Sequence, residues 1–332
     1  MGANMKSQIL SLLRNSGEYI SGQEICQRFG VSRTAVWKAV KQLKEEGYRI
    51  EAVQNKGYRL AESPDVLNEQ ELTNRMETEW AGRIVYYYDK TGSTNTDAKR
   101  LASEGAAHGT IVVADDQENG RGRRGRSWQS PAGSNVYFTI VLRPEFEPDK
   151  ASMLTLVMAM SVAEAIRNYC GIEASIKWPN DIVIDKKKVC GILTEIEIAL
   201  ETNDIQYVVI GVGINTNQKE FPEDVREIAG SLVNAGGRKV SRAGMIQKVM
   251  ERFEQNYESF VRIEDLSQMR QAYDTLLVNK DRQVKVLDPK GEYTGTAKGI
   301  NEKGELLVQK EDGQIEAVYA GEVSVRGLYS YV

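Results

Sequence analysis

The chain holds a single histidine and three cysteines among 332 residues. That scarcity removes much of the usual catalytic repertoire. The histidine, His108 in Ala106-Ala107-His108-Gly109, reads as a loop residue, and no recognisable Ser/His/Asp or Cys/His set surrounds it. Cys26, Cys170 and Cys190 lie far apart and outside metal-ligand spacing, so they read as reduced thiols of a cytoplasmic protein. Long apolar runs are also lacking. The longest, residues 153–163, is too short to cross a bilayer, and no basic, apolar and small-residue leader opens the sequence. The expectation is a cytoplasmic protein with no membrane contact. A phosphate-cradling Gly-x-x-x-x-Gly-Lys-Ser/Thr loop is missing as well.

What is present is an uneven distribution of charge. The net charge is −4, yet residues 1–62 carry ten Lys/Arg against six Asp/Glu, which leaves the remainder strongly acidic. A small basic head on a larger acidic body points to a polyanion-binding module joined to a different kind of domain. Within the body, Gly120-Arg121-Gly122-Arg123-Arg124-Gly125-Arg126 concentrates four guanidinium groups in seven residues, followed by Ser127-Trp128-Gln129-Ser130-Pro131. Unpaired arginines are not core residues, and three glycines argue against a helix. The segment reads as a flexible cationic loop suited to gripping phosphate and carboxylate oxygens. It also matches Gly-x-Gly-x-x-Gly, but Pro131, Gly133 and a strand over 135–143 follow where a dinucleotide-binding helix should begin. A dinucleotide fold is therefore excluded.

In the head, Ile9, Leu12 and Leu13 give a first helix its apolar face, and Ser21 with Glu24 fits a capping box for a second. Ser32 caps a third helix on which Val36, Val40 and Leu43 face inward. Arg33, Thr34, Trp37, Lys38, Lys41 and Lys44 face outward. Two short strands follow, over 48–53 and 58–60, with Lys56 and Arg59 beside the turn. The arrangement resembles a winged helix-turn-helix, whose third helix enters the major groove while the wing meets phosphates. A protein-interaction module with a solvated basic face is the bland alternative. Ser32, Arg33, Thr34, Trp37, Lys38, Lys41 and Lys56 are the candidate DNA contacts. Trp37 would contact thymine methyls or pack on the wing. The division expected is a winged head over 1–62, a linker over 63–68, a catalytic domain over 69–277 and a small β-barrel over 278–332.

The body starts with an acidic helix over 69–79 and continues with strands alternating with helices. Its motifs sit at strand ends: Gly92-Ser93-Thr94-Asn95, Gln117, the arginine loop with Trp128, Lys177-Trp178-Pro179-Asn180-Asp181, residues 188–193, and Gly211-Val212-Gly213-Ile214-Asn215. In this order, behind a winged head, they resemble the bifunctional biotin–protein ligase and biotin operon repressor family over nearly the whole chain. That resemblance implies an α+β multidomain protein with a biotin/lipoate-ligase-type centre and an SH3-like C-terminal barrel. It implies that biotin and ATP, with magnesium, give biotinyl-5′-adenylate, and that biotin then passes to a lysine of the biotin carboxyl carrier protein of acetyl-CoA carboxylase. It places Ser93, Thr94, Asn95, Gln117, Arg121, Gly122, Arg123 and Lys188 around biotin, with Lys188 and Arg123 stabilising the reacting groups. Arg124, Arg126, Trp128, Lys177, Asn180, Asp181 and Asn215 would serve the nucleotide, with Arg326 either joining them or remaining an ordinary surface arginine. On their own, Ser93, Thr94 and Asn95 read equally as helix caps. A homodimer formed on adenylate binding, engaging operator DNA, completes the expectation. Two alternatives stay open: a biotin-sensing transcription factor without ligase activity, and a lipoate-ligase relative.

Overall fold

The computed structural model describes residues 2–62, 64–288, 291–320, 324–327 and 332, without the side chains of 2–4, 15, 62, 324 and 326. These residues form two compact units, Met1–Arg75 and Met76–Val332.

The first unit runs α1 (Gly2–Ser16), α2 (Gly22–Phe29), α3 (Arg33–Glu45), β1 (Arg49–Val53), β2 (Gly57–Glu62) and α4 (Glu69–Arg75). Both expected caps form. Ser21 Oγ accepts from Glu24 N at 3.0 Å, and Ser32 Oγ accepts from Ala35 N at 3.2 Å. Ile9, Leu13, Ile25, Val36, Val40 and Leu43 are buried together. Each contributes roughly 1.5–3 kcal/mol of hydrophobic stabilisation. β1 and β2 pair antiparallel as the wing. Gly57, at φ 107°, is required there, because a β-carbon would overlap the Ile20 carbonyl.

The acidic helix ends at Arg75, shorter than the 69–79 read from sequence, and it lies in the first unit rather than the second. Its Glu71 is buried and accepts from Arg14 at 2.7 Å, Arg75 at 2.6 Å and Tyr48 Oη at 2.9 Å. Those three donors compensate the burial of its carboxylate. Burial, helped by Glu71, pushes the Tyr48 hydroxyl up to about 12.

In the second unit the elements are β3 (Val85–Thr91), α5 (Thr94–Ser103), β4 (Ile111–Gln117), β5 (Val136–Leu142), α6 (Met153–Cys170), β6 (Ser175–Lys177), β7 (Asp181–Ile184), β8 (Lys187–Ile198), β9 (Ile205–Ile214), α7 (Leu232–Gly236), α8 (Arg242–Ile263) and α9 (Arg270–Leu276). Among the described residues the strands make one sheet in the order β3-β4-β5-β9-β8-β7-β6. Only β3 and β4 run parallel; the other neighbours are antiparallel. That topology is incompatible with a doubly wound dinucleotide fold. Helix α6 is apolar nearly all round because it is covered twice, by the sheet through β6–β8 and by α8. Gly171, left-handed at φ 69°, ends it as the sequence indicates.

A second, antiparallel sheet follows, built from β10 (Gln283–Asp288), β11 (Gly291–Ile300), β12 (Leu306–Gln309), β13 (Ile315–Val318) and β14 (Ser324–Gly327) in the order β13-β12-β11-β10-β14. It is tied to the main sheet by Trp178, whose Nε1 donates to the Gly304 carbonyl at 3.0 Å. A parallel bridge between Ile176 and Leu277 fixes the segment between α9 and β10 on β6. This mixed α+β architecture with a small C-terminal β module is the one expected.

Candidate active site

The arginine segment folds as a tight hairpin. Trp128 N donates to the Gly120 carbonyl at 2.8 Å, Gly122 N donates to the Arg126 carbonyl at 2.7 Å, and Arg121 bridges Ser127. A single 3-10 turn, Arg123–Gly125, closes its tip. The hairpin leaves Arg121, Arg124 and Arg126 exposed but draws Arg123 inward. Arg123 donates to Asn180 Oδ1 at 3.0 Å and to the Ala320 carbonyl at 2.7 Å, so it bridges the main sheet and the C-terminal module. Burial holds its guanidinium below the ordinary arginine range, although Asp181 opposes the shift.

The hairpin walls a cleft of about 280 Å³. Strands β8 and β9 make the floor, where Gly191 and Gly213 are register partners. A β-carbon at Gly213 would clash with the Trp128 indole, and one at Gly191 would crowd both Trp128 and Lys188. The indole thus lies flat where only glycine lets it approach. Trp128 Nε1 is buried with no hydrogen-bond partner among the described residues. Lys188 Nζ sits 5.2 Å from the ring centroid and 2.6 Å from Asp181 Oδ1. Lys177, only 5 % exposed, and Asn180 complete that side.

On the opposite wall, Thr94 N donates to Gln117 Oε1 at 2.9 Å, and Gln117 Nε2 donates to Ser130 Oγ at 2.9 Å. Asn95 Nδ2 donates to Glu195 Oε2 at 2.7 Å and to the Leu193 carbonyl at 3.3 Å. Thr139 Oγ1, fully buried, lies 2.6 Å from Asn95 Oδ1 and 2.8 Å from Thr94 Oγ1. Burial works against the Glu195 carboxylate, but hydrogen bonds from Lys99 and Asn95 outweigh it and hold the group below the ordinary carboxylate range. Ser93 precedes α5 yet makes no side-chain cap. Its hydroxyl lines the cleft, which removes the plain capping reading for this residue.

Ser93, Thr94, Asn95, Gln117, Arg121, Gly122, Arg123, Arg124, Arg126, Trp128, Lys177, Asn180, Asp181, Lys188 and Asn215 therefore line one cleft. Arg326 pairs with Lys285 on β14, but its side chain lies outside the described residues. Asn215 Nδ2 donates to the Gly230 carbonyl at 3.0 Å, stapling the segment that closes one side of the cleft with Phe221, Val225 and Ile228. That segment, Thr139, Ser130 and Glu195 were not singled out from the sequence as site residues. Only Glu195 carried a signal, as a carboxylate alternating with apolar residues on a strand. His108 takes no part: its Nδ1 accepts from Arg143 N at 3.0 Å and its ring lies 4.5 Å from Trp80.

In the first unit, Ser32, Arg33, Thr34, Trp37, Lys38, Lys41 and Lys56 are all exposed. Trp37 is 55 % exposed, with Lys41 Nζ 5.6 Å from its ring centroid, so it stands out from α3. Arg59 is engaged within the wing by Glu51 at 2.8 Å.

Fold and cleft together define a class of multidomain ligase. Residues 87–215 match the biotin/lipoate A/B protein ligase family, residues 6–59 an HTH domain, and residues 281–326 the biotin protein ligase C-terminal domain. The chain belongs to the bifunctional ligase/repressor BirA family. It is 38 % identical to the Bacillus subtilis bifunctional ligase/repressor BirA, over 98 % of this chain and all of that protein. It is 31 % identical to the Escherichia coli protein of the same name, over 96 % of each chain. Among solved structures, the biotin protein ligase from Aquifex aeolicus in complex with biotin and ATP is similar with a TM-score of 0.64 and 33 % identity. That match covers 74 % of this chain and 99 % of the other. No helix among the described residues is long and apolar enough to cross a membrane.

Proposed function

We propose that this chain is a biotin protein ligase and a biotin-responsive transcriptional repressor. It joins biotin to ATP and then transfers it to a lysine of a biotin carboxyl carrier protein of acetyl-CoA carboxylase. In the first step a carboxylate oxygen attacks the α-phosphorus and pyrophosphate leaves with the displaced oxygen. In the second step an amine nitrogen attacks the acyl carbon, AMP leaves and the proton passes to solvent. Both reactants of the first step are anions, so cationic donors must lower the barrier to their approach. The observation that carries this reading is the convergence of Arg123, Lys177 and Lys188 with the indole of Trp128 over a glycine floor.

Ser93, Thr94, Asn95, Gln117, Arg121, Gly122, Arg123 and Lys188 form the biotin side. Arg124, Arg126, Trp128, Lys177, Asn180, Asp181 and Asn215, with Arg326, form the nucleotide side, the indole stacking on adenine. Arg123 and Lys188 stabilise the carboxylate and the transferring phosphate. Magnesium enters as part of the ATP substrate. No group of three His, Cys, Asp or Glu is poised for a metal among the described residues. Asp181 and Asp224 are carboxylates the cleft offers to such an ion.

The repressor half rests on the exposed cations of α3 and the wing, through Ser32, Arg33, Thr34, Trp37, Lys38, Lys41 and Lys56. We assign residues 1–62 to the DNA-binding domain, with α4 packed beside it, 76–277 to catalysis and 278–332 to the SH3-like module. The protein works in the cytoplasm, and biotinyl-5′-adenylate favours a homodimer that places two heads on two operator half-sites. Biotin-dependent exchange of labelled pyrophosphate into ATP tests the ligase. Its absence would leave a sensor only, and exchange driven by lipoate rather than biotin would make the chain a lipoate ligase. Operator affinity that is equal with and without biotin plus ATP would remove the switch.

A further inference from the structure

We infer that Glu195 sets the donor–acceptor polarity of the ligand wall through Asn95 and Thr139, making these three positioning residues for a ligand that presents N–H groups. The inference rests on the biotin reading, since biotin carries a cyclic urea with two ring N–H groups.

The argument follows protons along one hydrogen-bond chain. Glu195 accepts from Lys99 Nζ at 2.7 Å through Oε1 and from Asn95 Nδ2 at 2.7 Å through Oε2. A carboxylate paired with an ammonium is an acceptor only, and so is the Leu193 carbonyl that takes the second contact of Asn95 Nδ2. Both amide protons of Asn95 are thereby committed toward β8, and its Oδ1 must point back toward β5. Gly211 provides the room, because a β-carbon there would overlap Asn95 Oδ1.

Thr139 has one hydroxyl proton, and its shortest contact is the 2.6 Å approach to Asn95 Oδ1, an atom that cannot donate. The proton goes there. Thr139 Oγ1 then only accepts from Thr94 Oγ1 at 2.8 Å. The other near neighbour of Thr94 Oγ1, Gln117 Oε1 at 3.1 Å, is also an acceptor, oriented by Thr94 N. The shorter approach carries the Thr94 proton to Thr139, and Gln117 Oε1, longer and already accepting from Thr94 N, is the weaker acceptor. What Thr94 offers the cleft is a lone pair, which welcomes an N–H and repels a ring oxygen. Asn95 acts on the ligand through Thr139 and Thr94.

Glu195→Gln breaks the lock. The new amide both donates and accepts, so Asn95 can turn over and Thr94 can present its proton to the cleft. The test compares biotin with an analogue in which one ring N–H is replaced by an ether oxygen, using pyrophosphate exchange in the full-length protein. The wild-type protein should prefer biotin by about a hundred-fold or more. Glu195→Gln should lower that preference by about ten-fold or more and raise KM for biotin while KM for ATP stays within about two-fold. Glu195→Asp, which keeps the acceptor-only character, should retain the preference even where affinity falls. Should Glu195→Gln fail to fold, Thr139→Val removes the hydroxyl that accepts the Thr94 proton, at similar volume, and should lower the preference likewise. An unchanged preference in either variant, or KM for biotin and ATP rising together, overturns the inference. Lack of biotin-dependent exchange in the wild-type protein instead overturns the biotin reading.

Discussion

The two units use positive charge in opposite ways. On α3 the cations Arg33, Lys38, Lys41 and Lys44 are exposed. The nearest ion-pair partner there, Glu45 at 3.8 Å from Lys41, is itself exposed and so contributes little. In the cleft three cations are drawn inward and held by protein groups. Lys188 lies against Asp181, Arg123 is anchored on Asn180 and Ala320, and Lys177 is almost fully buried. An exposed array sums many small, screened attractions toward a long polyanion. A desolvated, pre-oriented set makes a few large contributions toward one reacting centre. Single substitutions should therefore be severe in the cleft and mild on α3.

The sharpest test of that asymmetry is Arg123→Ala. It removes the donor proposed for the reacting phosphate and also unties the hairpin from Asn180 and the Ala320 carbonyl. Adenylate formation, measured by pyrophosphate exchange, should fall by roughly 10²–10³-fold. Preformed biotinyl-adenylate should also escape faster in a filter or fluorescence release assay. A loss below about five-fold would mean that Arg123 is no more privileged than an exposed cation.

Salt separates the regions next. If each of two heads neutralises four or five phosphates, operator affinity should fall by roughly 10⁴–10⁵-fold between 50 and 200 mM salt. The KM for biotin should stay within about two-fold over the same range, because buried pairs are little screened. Fluorescence anisotropy with operator DNA and steady-state kinetics in matched buffers read both quantities. Equal salt dependence would erase the distinction.

How much of this was visible in the residues depended on whether a feature is local. Ser21 and Ser32 were legible as caps because the bonds they make reach three residues along the chain. The arginine segment was legible as a cationic, non-helical stretch but not as a hairpin, because its cross-strand hydrogen bonds depend on backbone geometry rather than on residue type. Gly211 and Gly213 read as the loop after a strand, the usual meaning of a Gly-x-Gly run. They lie inside β9, where they make space for Asn95 and Trp128. Thr139 was invisible in an apolar strand, since its partners Asn95 and Thr94 come from more than forty residues away. The acidic helix was read four residues too long because acidic residues continue to Glu79 while the helix stops at Arg75. There the chain turns to supply Glu79, Trp80 and Ala81 N–H groups to Glu254, at 2.8–2.9 Å.

Substitutions on α3 should give the smaller, additive effects that the comparison requires. Arg33→Ala and Lys41→Ala should each weaken operator binding by roughly three- to ten-fold and lower the salt slope by about one, both counted per head. Pyrophosphate exchange should stay unchanged. Trp37→Ala separates two roles for an exposed indole. If it reads thymine methyls, discrimination among operator variants falls while the salt slope stays put. Loss of exchange activity in any of these variants at normal stability would contradict the division of labour.

The weakest expected effect concerns the one group suited to titrate near neutrality, which belongs to neither set of cations. His108 is partly buried against Trp80 and Tyr257, and its Nδ1 accepts from Arg143 N. Burial lowers its pKa from the ordinary 6.5, so the folded chain prefers the neutral ring. Between the lowered folded value and 6.5 the unfolded chain binds the extra proton. The stability this neutral ring contributes is therefore fully present above about pH 6.5 and is lost as pH falls toward the folded value. Melting curves from pH 7.5 to 5.5 should show a downward slope in the wild-type protein that is shallower in His108→Gln, whose side chain does not titrate there. Parallel slopes would assign the acid sensitivity to carboxylates alone and leave His108 as packing.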